Sequence, residues 1–218
     1  VAAKLVVLGG TGTEIGKTHL AEALLLAWRG QGICAAGLKP VESGVDGATV
    51  SDSERLAAAS AFHVKPLYAL RDPVAPHLAA RREGIVLRRE AVLESIETVR
   101  QRTEVLLVEL PGGLFSPVLD DALNAELAVA LAPHALLLVA PDRLGVLHDV
   151  IATVRAAATV PLRIDGVVLV APPRADRSTG TNGAELAGRA PPVLASVPRG
   201  SPAALAPTLS DLARTLAR

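Results

Sequence analysis

The run Gly10-Thr11-Gly12-Thr13-Glu14-Ile15-Gly16-Lys17-Thr18 gathers the residue types that hold a polyphosphate. Glycines let successive backbone N–H groups converge on one point, and a helix beginning at Lys17 adds the positive end of its dipole. Lys17 offers a compact charge to the β- and γ-phosphates, and the Thr18 hydroxyl suits Mg²⁺. The spacing is one residue longer than G-x-x-x-x-G-K-[ST], because Thr11 stands where the first Gly would be. A plain glycine turn would explain the glycines but not Lys-Thr at the head of a helical pattern, so the run reads as a phosphate loop.

Two further clusters carry charge. In Lys39-Pro40-Val41-Glu42-Ser43-Gly44 the lysine ends an apolar run, where its ammonium can meet phosphate or a developing anion. A solvated strand end is the bland alternative. Against it stands the scarcity of lysine: of 22 basic residues the only lysines are Lys4, Lys17, Lys39 and Lys65. Ser43 is not a nucleophile elbow, which needs Gly two residues to either side where Val41 and Val45 stand. Glu109 closes the run Val105-Leu106-Leu107-Val108, the Walker B position for a carboxylate near Mg²⁺. Buried without a partner it would be destabilising, which points to a metal or cation beside it.

These residues must be held at the ends of strands. Leu5–Leu8, Cys34–Leu38, Val105–Val108, Ala135–Val139 and Ile164–Val170 are apolar on every side, as is a short run at Val193–Val197. Helical patterns occupy Lys17–Arg29, residues 51–61 with Ser51 or Asp52 as N-cap, Glu90–Arg102, 145–158 and 208–217. Strands buried on both faces and alternating with helices specify an α/β fold, mostly parallel sheet flanked by helices, with ligands at the carboxyl ends. With the phosphate loop, this is a P-loop NTPase-like fold in one domain over 1–218. The stretch 172–183, rich in Pro, Gly, Ser and Thr, reads as a mobile loop.

Composition narrows the classes. The 218 residues carry 22 basic and 22 acidic side chains, so no phosphate-neutralising excess marks a nucleic-acid binder. Aromatics at 2% also leave base stacking without rings. No apolar run approaches the roughly 20 residues that span a bilayer. With a single Cys34 and no apolar leader pattern, the expected setting is cytoplasmic, without membrane association. Arg81-Arg82 and Arg88-Arg89 read as a solvated face, Trp28 as packed beneath the first helix, and the histidines show no zinc spacing.

Taken in order, these motifs resemble the dethiobiotin synthetase family, whose members look like G-T-x-T-x-x-G-K-T, K-P-V-x-S-G, S-D, P-x-A-P-H, V-E-G-x-G-G and L-G-x-L-N-H. The counterparts here are Gly10–Thr18, Lys39–Gly44, Ser51-Asp52, Pro73–His77, Val108-Glu109 with Gly112-Gly113, and Leu144-Gly145-Val146-Leu147. Leu110 and Pro111 depart from the pattern, as do His148 in place of Asn and Asp149 in place of His. Val170 falls near the place of a base-reading Asn that some members carry.

The resemblance implies ATP- and Mg²⁺-dependent ring closure of 7,8-diaminopelargonic acid with CO₂ through a carbamate and a carbamic-phosphoric anhydride. It implies Lys17 and Lys39 as the catalytic cations, and Thr18, Asp52 and Glu109 as metal ligands. ATP would meet Thr13, Glu14, Ile15, Gly16, Lys17, Thr18, His19, Asp52, Glu109, Gly112 and the loop Pro198-Arg199-Gly200. Substrate would meet Thr13, Lys39, Ser43 and the segment Leu144, Gly145, Val146, Leu147 and His148. That last segment would come from the second subunit of a homodimer whose active site lies near the interface. The competing class is a nucleotide-switch ATPase of the same deviant loop group. Those proteins carry a second Lys at the loop start, where Gly9-Gly10-Thr11 stands here. A nucleotide-binding homologue without turnover is a third reading, prompted by Leu110 and Pro111.

Overall fold

The computed structural model describes residues 3–218. In chain order the elements are β1 (Lys4–Gly10), α1 (Lys17–Gly30), β2 (Ala35–Leu38), β3 (Val41–Ser43), α2 (Asp52–Ala59), β4 (Tyr68–Leu70), α3 (Pro76–Arg82) and α4 (Arg89–Arg100). There follow β5 (Val105–Glu109), β6 (Pro117–Leu119), β7 (Ala122–Leu123), α5 (Asn124–Leu131), β8 (Ala135–Pro141) and α6 (Val146–Ala157). The chain ends with β9 (Gly166–Val170), α7 (Asn182–Leu186), β10 (Val193–Val197), α8 (Pro202–Leu205), a 3₁₀ turn (Ala206–Leu209) and α9 (Ser210–Leu216).

Six strands form one parallel sheet in the order β10-β9-β8-β1-β5-β2. Successive side chains of each strand enter opposite layers, so both faces must be covered. Val6, Leu8, Leu107 and Val139 pack with Leu20, Leu24 and Trp28 of α1 and with Ala213 and Leu216 of α9. Leu5, Val7, Leu106 and Val108 pack on the other side with Ile96 of α4, Leu127 of α5 and Val150 of α6. Trp28 is fully buried and its indole N–H donates to the Ala213 carbonyl at 2.8 Å, fastening the C-terminal helix beneath the first.

Register decides what meets at the carboxyl edge. Leu8 pairs with Glu109, Leu38 with Val108, and Gly10 with Val139. The loop after β1 therefore lies between β5 and β8, and Lys39, one residue past β2, comes level with Glu109.

Several elements carry no sequence expectation. The parallel pair β3-β4 and the antiparallel pair β6-β7 are two or three residues a strand, too short for a period to show. Helix α5 is apolar round most of its circumference, which hides the amphipathic signal. The stretch 172–183 is irregular up to α7, in line with its loop-like composition, and the buried Asp142 just past β8 ties down its second half. The Asp142 carboxylate accepts from Gly180 N at 2.8 Å and Asn182 Nδ2 at 2.7 Å, and its carbonyl accepts from the Thr179 hydroxyl at 2.9 Å. Among the described residues no helix is long and apolar enough to cross a membrane.

Candidate active site

The turn between β1 and α1 takes the backbone through positive φ at Glu14 (56°) and Gly16 (94°). A Cβ at Gly16 would also stand 2.7 Å from Val170 Cγ1, so both conformation and close approach to β9 call for glycine. Lys17 enters α1 with its ammonium folded back over this turn, donating to Gly12 O at 2.9 Å and Gly112 O at 2.8 Å. Burial lowers its pKa to about 8, against the opposing pull of Glu109.

The Gly112 carbonyl is aimed by a device the sequence did not reveal. Leu110 is fully buried in the core beside β5. Pro111 offers no N–H, but its carbonyl accepts from Asn124 Nδ2 at 2.5 Å, and the same amide nitrogen donates to Gly113 O at 2.9 Å. Asn124, fully buried at the start of α5, thus braces the turn on which Lys17 rests. The departures at Leu110 and Pro111 have a structural account of their own.

Beside the turn four groups converge. Thr18 Oγ1 donates to Glu109 Oε1 at 3.0 Å. Lys39 Nζ stands 2.5 Å from Asp52 Oδ2 and 3.3 Å from Glu109 Oε1. The Glu109 side chain is only 1% exposed, and its Oε2 has no hydrogen-bond partner among the described residues. Burial holds its pKa above the usual carboxylate value, with Lys39 pulling the other way. Asp52 is displaced downward: burial would raise it, but the charge and hydrogen bond of Lys39 prevail. Burial would lower Lys39, but the carboxylates of Glu109 and Asp52 outweigh it and raise its pKa.

An orphaned oxygen on a buried carboxylate, flanked by a hydroxyl and a second carboxylate, is a hard oxygen donor set of the kind Mg²⁺ takes. Thr18, Asp52 and Glu109 therefore fit the expected metal. Arg55, unremarked in the sequence, completes the charge network: it grips Glu22 at 2.6 and 3.2 Å and lies 3.6 Å from Asp52 Oδ1. Its signal was helical spacing, three residues after Asp52 on the same face.

A cavity of about 230 Å³ opens on the other side of the turn. Glu14, Ile15, Gly16, His19, Pro198, Arg199 and Gly200, all among the residues expected to meet ATP, line it, with Val170, Ala171 and three prolines as its remaining wall. Arg199 donates to the Pro173 carbonyl, joining two of the lining loops.

The remaining expected residues divide. Thr13 lies over the same turn, its hydroxyl 3.7 Å from where a Gly112 Cβ would stand. Ser43 Oγ donates to Val74 O at 2.7 Å, binding β3 to the turn before α3. Leu144–His148 lie past β8, and among the described residues no hydrogen bond or ion pair joins them to Lys39, Asp52 or Glu109. There Gly145 caps α6 at φ 97°, Val146 is buried, and Leu144 is 80% exposed. Leu144 N–H donates to Asp176 at 2.8 Å. The Ser178 hydroxyl and this N–H hold the Asp176 carboxyl at about 2, below the usual range.

The fold is that of P-loop ATPases: a ParA family ATPase from Chlorobium tepidum superposes with a TM-score of 0.63 at 12% identity, over 98% of this chain and 99% of its own. A family model described as an AAA domain matches residues 4–203. The ATP-dependent dethiobiotin synthetase BioD of Anaeromyxobacter dehalogenans is 37% identical over 211 residues, spanning 94% of this chain and 90% of the relative. That of Nitrosospira multiformis is 38% identical over 160 residues, 70% of each chain. With the phosphate loop, the strand-end lysine and the buried carboxylate already in one place, the match extends to nearly the whole length, and the chain belongs to the ATP-dependent dethiobiotin synthetase family of enzymes.

Proposed function

We propose that this chain closes the ureido ring of dethiobiotin, in biotin biosynthesis, from 7,8-diaminopelargonic acid, CO₂ and ATP. One amine of the substrate adds to CO₂ and loses a proton, giving a carbamate. A carbamate oxygen displaces ADP from the γ-phosphorus. The second amine then attacks the carbonyl carbon of the mixed anhydride, phosphate leaves, and the nitrogen gives up a proton as the ring forms.

The observation that carries this reading is the convergence of Lys39 on Asp52 and Glu109, with Thr18 on the same Glu109 oxygen and Lys17 on the adjoining turn. Phosphoryl transfer needs positioning and charge neutralisation more than it needs a base. Lys17 would hold the terminal phosphates with the backbone N–H groups of the loop. Lys39, kept protonated by its two carboxylates, would neutralise the carbamate and the oxygens of the transferring group. Thr18, Asp52 and Glu109 would hold Mg²⁺, which when bound would supply further positive charge to the phosphoryl transfer. The hydroxyls of Thr13 and Ser43 would hydrogen-bond phosphate and carbamate.

The apolar cavity would take the nucleoside, gripped by packing and backbone contacts. The start of α6 would hold the substrate carboxylate of a second subunit through backbone N–H groups, since Val146 points inward. A homodimer with its active sites near the interface follows, and the outward Leu144 suits that contact.

Phosphate release is the test. It is expected only when 7,8-diaminopelargonic acid, bicarbonate and Mg-ATP are all present. Release at an undiminished rate without the diamine would instead support ATP hydrolysis as a switch.

A further inference from the structure

Glu42 is buried, 4% exposed, on the three-residue strand β3, and neither catalysis nor nucleotide binding as described uses it. Its carboxylate crosses to the start of α2. Oε1 accepts from Asp52 N at 2.7 Å, and Oε2 accepts from Ser53 N at 3.1 Å and from the Ser53 hydroxyl. These bonds add to the capping of α2 rather than replace it. Ser51 Oγ already accepts from Glu54 N at 3.2 Å and Glu54 Oε2 from Ser51 N at 2.8 Å, a complete capping box without Glu42. What Glu42 adds is a grip on the two N–H groups that the box leaves free, one of them that of Asp52 itself.

The connection to the site is short. Lys39 and Glu42 are three residues apart across Pro40, and Asp52 is bound to both: by its side chain to Lys39 and by its backbone to Glu42. A carboxylate closed at both ends has little freedom to swing away from Glu109 and Thr18. A donor group displaced by about an ångström loses most of its effect on a tightly held cation or phosphoryl group.

We propose that Glu42 is a positioning residue, which fixes the backbone at Asp52 so that the Asp52 carboxylate stands ready for the divalent cation beside the phosphates. The assignment rests on the reading of Asp52 as a metal ligand given above.

Mg²⁺ binding by the enzyme saturated with AMP-PNP, measured by calorimetric titration without turnover, separates positioning from simple stability. Asp52→Asn is expected to weaken Mg²⁺ binding more than tenfold, and Glu42→Ala about tenfold. Glu42→Gln, which keeps the shape and one acceptor, is expected to fall between Glu42→Ala and wild type. In an Asp52→Asn background Glu42→Ala should add less than twofold, because its action passes through Asp52. Ser51→Ala removes the cap of the same helix and should lower the melting temperature without moving Mg²⁺ binding. Melting loss without loss of Mg²⁺ binding in both Glu42 variants, the Ser51→Ala pattern, would overturn the positioning role while leaving Asp52 a ligand. Full multiplication of the two effects in the double variant would overturn it as well. Unchanged Mg²⁺ binding in Asp52→Asn would overturn the metal reading itself and the positioning role with it.

Discussion

At the scale of single residues, Lys39 is the group on which the proposed chemistry turns. Pro40 biases it toward an extended backbone, and two carboxylates keep it charged. Its effect should grow as the carbamate becomes a phosphorylated leaving group, so it belongs to the transition state more than to bound ATP. Lys39→Ala is expected to lower turnover by roughly a hundredfold or more while ATP affinity changes by less than tenfold, in a phosphate-release assay paired with nucleotide titration. Lys39→Arg should rescue poorly, because a planar fork does not replace a point charge between Asp52 and Glu109. Near-normal turnover in both variants would mark Lys39 as a structural ion pair.

Lys17 gives a pH dependence with a definite sign. Its pKa of about 8 in the folded chain lies below the ordinary 10.5. If ATP is held by the ammonium, as proposed, above pH 8 each further unit should weaken ATP binding by about tenfold, until the pKa of the complex is reached. Between pH 8 and 10.5 the unfolded chain binds this proton and the folded chain does not. Lys17 alone therefore favours folding as pH rises through that window. Opposite slopes for affinity and stability, from nucleotide titration and urea unfolding over pH 7–9.5, are the expected pair. The stability slope should vanish in Lys17→Ala.

At the scale of elements, the site depends on where helices begin. The turn after β5 is shaped by the first residue of α5: the Asn124 amide bridges Pro111 O and Gly113 O, and between them Gly112 O faces Lys17. Asn124→Ala leaves buried carbonyls unpaired and should reduce stability by about 1–3 kcal/mol in urea unfolding. It should also weaken ATP binding several-fold, because the turn that receives Lys17 loses its brace. Asn124→Asp, of the same shape but with no N–H to donate, should be no better. The sheet and helix layers themselves tolerate little at one point: a Cβ on Gly37 would stand 2.7 Å from Leu25 Cδ1, so β2 could not lie so close under α1.

At the scale of the whole molecule, the strand order places the cavity lined by Gly16 and the cluster of Lys39, Asp52 and Glu109 on opposite sides of one turn. The cavity beyond Gly16 is walled by Val170, Ala171, Pro141, Pro172 and Pro173, with Arg199 committed to the Pro173 carbonyl. Among the described residues no side-chain amide lines it to read a base edge. Base preference should therefore be modest: ATP over GTP, CTP or UTP by less than about a hundredfold, or about 2.7 kcal/mol, in competitive phosphate-release assays. A larger preference would require a buried hydrogen bond to the base. Val170→Asn, which restores an amide at that wall, should raise discrimination.

The primary sequence determined what is local. The phosphate loop, Lys39 at a strand end, Asp52 at a helix start and Glu109 after a run of aliphatics are each recognisable because residue type and immediate neighbours suffice: glycine before a helix, charge after an apolar strand. The parallel α/β architecture was legible for the same reason, from strands apolar on both faces. Tertiary structure alone decided the rest. Glu42 and Asn124 are ordinary polar residues until the fold buries them, and their partners lie 10 to 13 residues away across packed elements. Asp142 shows no function until the stretch 172–183 closes over it. The physical reason is that a buried polar group must find its partner wherever the register puts one, and register is set by packing of the whole sheet, which no short window of sequence contains.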